Sequence, residues 1–120
     1  MATSSAVFAG VMQNALPRLE AAEKSPYGDW PIGVQSYSLR QFNTLETIRH
    51  IQGMGLHFAE FYGKHLSVQA TAEQIAETGK LCAGAGIKIN AHGVNRFSKD
   101  HAANRKIFAF AKRAGIKNIT

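Results

Sequence analysis

The sequence has a single cysteine, Cys82. One thiol excludes an intrachain disulfide and a thiolate zinc cluster. Long apolar runs are missing too: no stretch approaches the roughly 18 to 20 residues of a membrane span. Proline is scarce, at three residues, and glycine numbers eleven; that balance suits short loops rather than a disordered chain. Acidic residues are few, eight against fourteen Lys and Arg, so the net charge is +6 and the pI is near 9.8. Such an excess raises the question of an anionic partner. The cations are dispersed, however, over Lys64, Lys80, Lys88, Arg96, Lys99, Arg105, Lys106, Lys112, Arg113 and Lys117. Without aromatic residues interleaved in a groove they read as a solvated face, and a nucleic-acid partner is not expected.

What is present suffices for one domain with a core: 120 residues, 45% of them apolar. Residues 1–30 read as an N-terminal extension. Ala6 to Leu16 is mildly apolar and rich in small residues, like the end of a signal h-region, and Leu19-Glu20-Ala21 is a marginal cleavage site. No Lys or Arg precedes it, and Gln13 and Asn14 interrupt it. The expected location is cytoplasmic, with export as the alternative if this segment is the remnant of a signal peptide. Ser25 to Asp29 is turn-rich, and Trp30-Pro31 sets an extended entry to the organised part.

Ile32 to Arg40 (IGVQSYSLR) alternates like a strand, with Gln35, Tyr37 and Leu39 on one side and Val34, Ser36 and Ser38 on the other. Asn43 with Glu46 opens a helix over Thr44 to about Gln52, ended by Gly53 and Gly55. His57 to Tyr62 is the second strand. Thr71 with Gln74 opens a second helix, which carries Ile75, Leu81 and Cys82 inward and ends at Gly84 or Gly86. Ile87 to Ala91 is the third strand, followed by His92-Gly93. Ser98 is the expected cap of a third helix, with Ala103, Ile107, Phe110, Ala111 and Ala114 as its apolar stripe. Ile116 to Thr120 begins a fourth strand.

Gly55-Leu56, Gly86-Ile87 and Gly115-Ile116 each mark a helix running directly into a strand. The inferred period, roughly 28 residues, is the length of one βα unit. Alternating strands and helices imply a parallel sheet with right-handed crossovers. The expected fold is α/β, the N-terminal part of a truncated (β/α)8 TIM barrel, with about four parallel strands and three helices over residues 31–120. A full barrel needs roughly 250 residues.

In such a barrel the chemistry gathers at the C-terminal strand ends. Glu60, between Ala59 and Phe61, is a carboxylate among apolar neighbours, which calls for a partner or a function. It reads either as a mouth-facing acceptor or as half of a structural ion pair. His92 ends the third strand, and Gly93 leaves its imidazole uncrowded; the reading is a mouth-lining group, against a satisfied structural histidine. Gln35 and Tyr37 suit a polyol equally well as they suit capping the core, and Tyr62 and Asn95 have weaker versions of the same role. His50, His57, His65 and His101 have no metal spacing and read as surface or loop residues. Cys82 reads as core. Gly84-Ala85-Gly86 lies between a helix and the next strand, the reverse of a dinucleotide loop.

IGVQSYSLR, FAEFYG (Phe58 to Gly63), AGIKINAHG (Ala85 to Gly93) and AKRAGIKNIT (Ala111 to Thr120) together resemble the sugar phosphate isomerase/epimerase family of xylose isomerase-like TIM barrels. The resemblance implies an enzyme that uses a divalent metal (Mn, Mg, Co or Zn) to move a proton between adjacent carbons of a sugar. It implies that the metal-binding Glu, Asp, His and Glu lie on later strands absent from this chain, so no metal ligand is assigned here and the chain alone is expected to be inactive. It implies a substrate-binding role for Gln35, Tyr37, Glu60 and His92. The partner expected is a small sugar, and a homo-oligomer is one expected state. Two alternatives stand beside it: a metal-dependent nuclease related to apurinic endonucleases, and a non-catalytic half-barrel that associates with a partner chain.

Overall fold

The computed structural model describes residues 25–120. The signal-like Ala6–Leu16 segment and its cleavage site lie outside them. The chain forms β1 (Gly33–Gln35), a 3-10 helix (Ser36–Leu39), α1 (Thr44–Gly53), β2 (Phe58–Phe61), α2 (Ala72–Gly84), β3 (Lys88–His92), α3 (His101–Ala114) and β4 (Asn118–Ile119). The strands make one sheet in the order β1-β2-β3-β4, every pair parallel. Consecutive order with crossovers of one hand puts every helix on the same face. In keeping with this, α1 packs on α2 and α2 on α3. Among the described residues no helix is long and apolar enough to cross a membrane.

The core lies between the sheet and this single helical layer. Ala59 and Phe61 from β2 meet Ile48 and Ile51 of α1, Cys82 of α2, and Phe110 and Ala111 of α3. Burial raises the Cys82 thiol pKa to about 12, so it is a packing group and not a thiolate.

The helix ends explain the repeat. Gly55, Gly86 and Gly115 have φ of 68°, 71° and 67°, in the left-handed region that glycine enters without a Cβ penalty. In each case the following residue donates back to the helix: Leu56 to Ile51 O, Ile87 to Cys82 O and Ile116 to Ala111 O. Each glycine N–H also donates one turn back, to Gln52, Ala83 and Lys112. These are three complete Schellman motifs, and Leu56, Ile87 and Ile116 are all buried. The Gly-apolar pair thus stops a helix and seats the next strand in the core in one step. At the other ends, Asn43/Glu46 and Thr71/Gln74 form the expected capping boxes.

Two local expectations are corrected. The strand from Ile32 stops at Gln35, and Ser36–Leu39 turns as a 3-10 helix. Gln35 Oε1 accepts from Tyr37 N–H at 2.6 Å, and buried Ser36 Oγ accepts from Tyr62 N–H at 3.0 Å. Polar side chains here compete for backbone donors that a longer strand would need. At α3 the cap is Asp100, whose carboxylate accepts from Ala102 and Ala103 N–H. Ser98 stands one step earlier, accepting from Asp100 N–H.

Candidate functional site at the C-terminal edge of the sheet

The four strands end side by side along one rim. On the face without helices, register pairs Gln35 with Glu60 and Glu60 with Ala91. Two hydrogen bonds reach across strands here. Gln35 Nε2 donates to Gly93 O at 3.3 Å, and the Thr120 hydroxyl donates to Glu60 Oε1 at 2.6 Å. The second is possible because residue 93 lies between them and is glycine. A Cβ there would overlap Thr120 Oγ1 and sit 2.9 Å from Glu60 Oε1. Asn95 closes the end of the row, its backbone N–H donating to Thr120 O at 2.6 Å.

Tyr37 stands beside this row and is 54% exposed. Its ring meets Tyr62 edge-on, with centroids 5.2 Å apart. The Arg40 guanidinium lies 4.9 Å from the Tyr37 ring centre. The rim therefore presents a carboxylate, an amide, hydroxyls and an aromatic corner. Such a surface can accept, donate and stack, which suits binding and orienting a polyhydroxyl compound.

Gln35, Tyr37 and Glu60 are brought together; His92 is not among them. Its ring is 2% exposed and turned into the helical layer, edge-on to Phe110 at 4.8 Å. Nε2 lies 2.8 Å from Leu66 O, which can only accept, so Nε2 carries the proton. Nδ1 faces Asn95 Nδ2 at 3.2 Å. Both nitrogens are engaged. The cause is a register shift between Ala59 and Glu60, which leaves Asn90 unpaired in β3 and sets His92 opposite Phe61. One extra residue exchanges the faces of everything after it.

His65 is also buried, contrary to its reading as a surface or loop residue. Its Nε2 is 3.1 Å from both Phe42 O and Thr47 Oγ1, and Nδ1 is buried with no protein partner. Burial lowers its pKa, the Phe42 carbonyl works against that, and the nearby Lys64 charge adds to it.

Sequence reasoning passed over Thr120 and the necessity of Gly93. A signal existed for Thr120: it follows Ile116 by four residues, as Glu60 follows Leu56. None existed for Gly93, because its place depends on the bulge.

The donor set does not fit a catalytic divalent cation. Glu60 is the single carboxylate of the row, one of its oxygens is taken by Thr120, and no imidazole faces it. Among the described residues no group of three or more His, Cys, Asp or Glu is placed to hold a metal.

No family model matches the sequence, and no curated protein matches it. Among solved structures, the chain is similar to an uncharacterised protein from Parabacteroides distasonis, with a TM-score of 0.69 and 23% identity. The match covers 77% of this chain and 42% of that one, so the chain spans less than half the length of that relative in fold.

Proposed function

We propose that the chain is the N-terminal portion of a (β/α)8 barrel of the sugar phosphate isomerase/epimerase type, and that its rim binds the sugar. The observation that carries this is the hydrogen-bonded row of Gln35, Glu60, Gly93 and Thr120 across four consecutive parallel strand ends, on the face opposite the helices. In a barrel that face is the interior and that rim is the mouth. A doubly wound sheet reverses its strand order and places helices on both faces; this sheet does neither.

In this proposal Glu60 accepts hydrogen bonds from sugar hydroxyls through the oxygen that Thr120 leaves free. Gln35 Nε2 and the Tyr37 hydroxyl supply the complementary polar contacts, and the Tyr37–Tyr62 corner takes the C–H face of the sugar. These groups position a substrate. Proton transfer and metal binding belong to strands this chain does not contain, and no step is assigned to it.

Solvent exchange at carbon tests the proposal. The product of the complete reading frame is incubated in D2O with Mn2+ and a panel of aldoses and ketoses, with the 120-residue chain run beside it. Deuterium should enter a carbon adjacent to a carbonyl with the complete product and not with this chain. Failure of the complete product to exchange any sugar, with Mn2+, Mg2+, Co2+ or Zn2+, would sink the assignment.

A further inference from the structure

We infer that buried His65 is a positioning residue for the Tyr37–Tyr62 corner, and that its protonation releases the corner while the sheet beneath stays folded. The inference rests on the sugar-binding proposal for the same rim and adds its regulation by acid. Three rings lead from the core to the rim. His65 is 3% exposed and meets Tyr62 edge-on at 4.8 Å; Tyr62 meets Tyr37 edge-on at 5.2 Å. His65 N–H and Leu66 N–H both donate to Tyr62 O, a turn that folds the imidazole back against Tyr62. The imidazole is held in turn from the neighbouring loop. Nε2 lies 3.1 Å from Phe42 O, which can only accept, so Nε2 carries the proton and Nδ1 is bare. Thr47 Oγ1 shares that proton at 3.1 Å, and the Thr44 hydroxyl donates to His65 O at 3.0 Å. His65 thus ties the loop after β2 to the start of α1.

Protonation upsets this brace at one atom. It places a new N–H on Nδ1, which is buried without a protein partner, and a charge beside Phe61, whose ring lies edge-on at 6.2 Å. The charged and titratable groups around the ring do not compensate. Lys64, its chain neighbour, has the same sign. On α1, Glu46 is bonded to Asn43 N–H and His50 stacks on the Phe42 ring. His92 of β3 is engaged with Leu66 O. Glu77 of α2 shares a hollow of about 350 Å³ with His65 and Lys64, but it is exposed and its charge is screened by water. That hollow is the route by which a charged ring reaches solvent. Turning into it withdraws the imidazole edge from Tyr62, and Tyr62 then no longer fixes Tyr37. Burial keeps the folded ring neutral to a pH below the ordinary 6.5. The corner is therefore formed at neutral pH and lost in mild acid.

The test follows side-chain signals of the 120-residue chain by NMR from about pH 7.5 to 5. It runs beside the H65Q variant, whose amide can still donate to Phe42 O and does not titrate. At the neutral end the His65 nitrogens should show the Nε2–H tautomer. On acidification the Tyr37 and Tyr62 ring signals should move with the His65 midpoint, while Phe110 and Ile48 in the core stay still. D-fructose should bind about tenfold more weakly one pH unit below that midpoint, since only the neutral fraction is competent. H65Q should show neither change. Tyrosine signals that ignore the His65 midpoint overturn the inference, as do signals that follow another histidine or persist in H65Q. So does D-fructose affinity that holds constant while the rings move. Movement of Phe110 and Ile48 with the same midpoint marks general unfolding and also overturns it. Should H65Q not fold, the wild-type midpoints alone decide. The two proposals fail separately. If the rings follow His65 but D-fructose shifts neither Gln35 nor Glu60 at neutral pH, the brace stands and sugar binding falls. If D-fructose shifts both and the rings ignore His65, the reverse holds.

Discussion

At residue 93 a methyl group would overlap the Thr120 hydroxyl and press on Glu60. Gly93→Ala should therefore part β3 from β4 and cost about 1–3 kcal/mol in chemical denaturation, the usual range for overpacking. A cost of only a few tenths would show that Thr120 does not hold the place described. His65 offers a second handle. Its folded pKa is lowered, so the unfolded chain takes up the proton first as pH falls. Its contribution to stability is full above about pH 6.5, the unfolded value, and is lost as pH drops toward the lower folded value. Stability measured from pH 7.5 to 5 should fall more steeply for the wild type than for His65→Gln. Equal slopes would exclude His65 as the titrating group. The residue scale is also where the sequence was least legible. Its position at the end of the third strand reads as a mouth-lining place for His92, and one unpaired residue, Asn90, turns it into the core. A bulge in a half-polar strand leaves no mark on the pattern that a single sequence can display. Gln35 and Glu60 were legible because β1 and β2 pair without a slip ahead of them.

Among the elements, the helix stops are the most predictable parts because one dipeptide performs the whole task. Gly115 and Gly55 separate strain from space. Gly115 has nothing within 4 Å of a would-be Cβ, whereas at Gly55 that atom would lie 3.0 Å from Pro26 Cγ. Gly115→Ala should cost about 1 kcal/mol, the penalty of the left-handed conformation alone. Gly55→Ala should cost more, by the extra contact. Thermal or urea unfolding of the two variants checks the order, and equal costs would mean that Pro26 yields freely. The capping boxes were legible for a similar reason, since Asn43/Glu46 and Thr71/Gln74 are local pairs. The start of α3 was not. Ser98 and Asp100 are both good cap residues, and the choice falls to Asp100 because Asn104 ties up the Ser98 backbone at both its N–H and its carbonyl.

For the whole molecule, strand order matches chain order, which a repeat of Gly-apolar pairs makes readable in advance. That order produces a sheet with two unlike faces. One is apolar and covered by three helices; the other bears Gln35, Glu60 and Asn118. Among the described residues β1 pairs only with β2, and β4 only with β3. Trp30, just ahead of β1, is 76% exposed, and Phe108 on α3 is 58% exposed. In the barrel proposed here, further βα units cover those edges and residues. The polar face then becomes the lining of a mouth. The most direct measurement is an NMR titration of the chain with a neutral ketose, beside Glu60→Ala. Weak, saturable shifts are expected at Gln35, Tyr37, Glu60 and Thr120, and they should disappear in the variant. Shifts confined to the helical layer, or unchanged by Glu60→Ala, would contradict sugar binding at this rim.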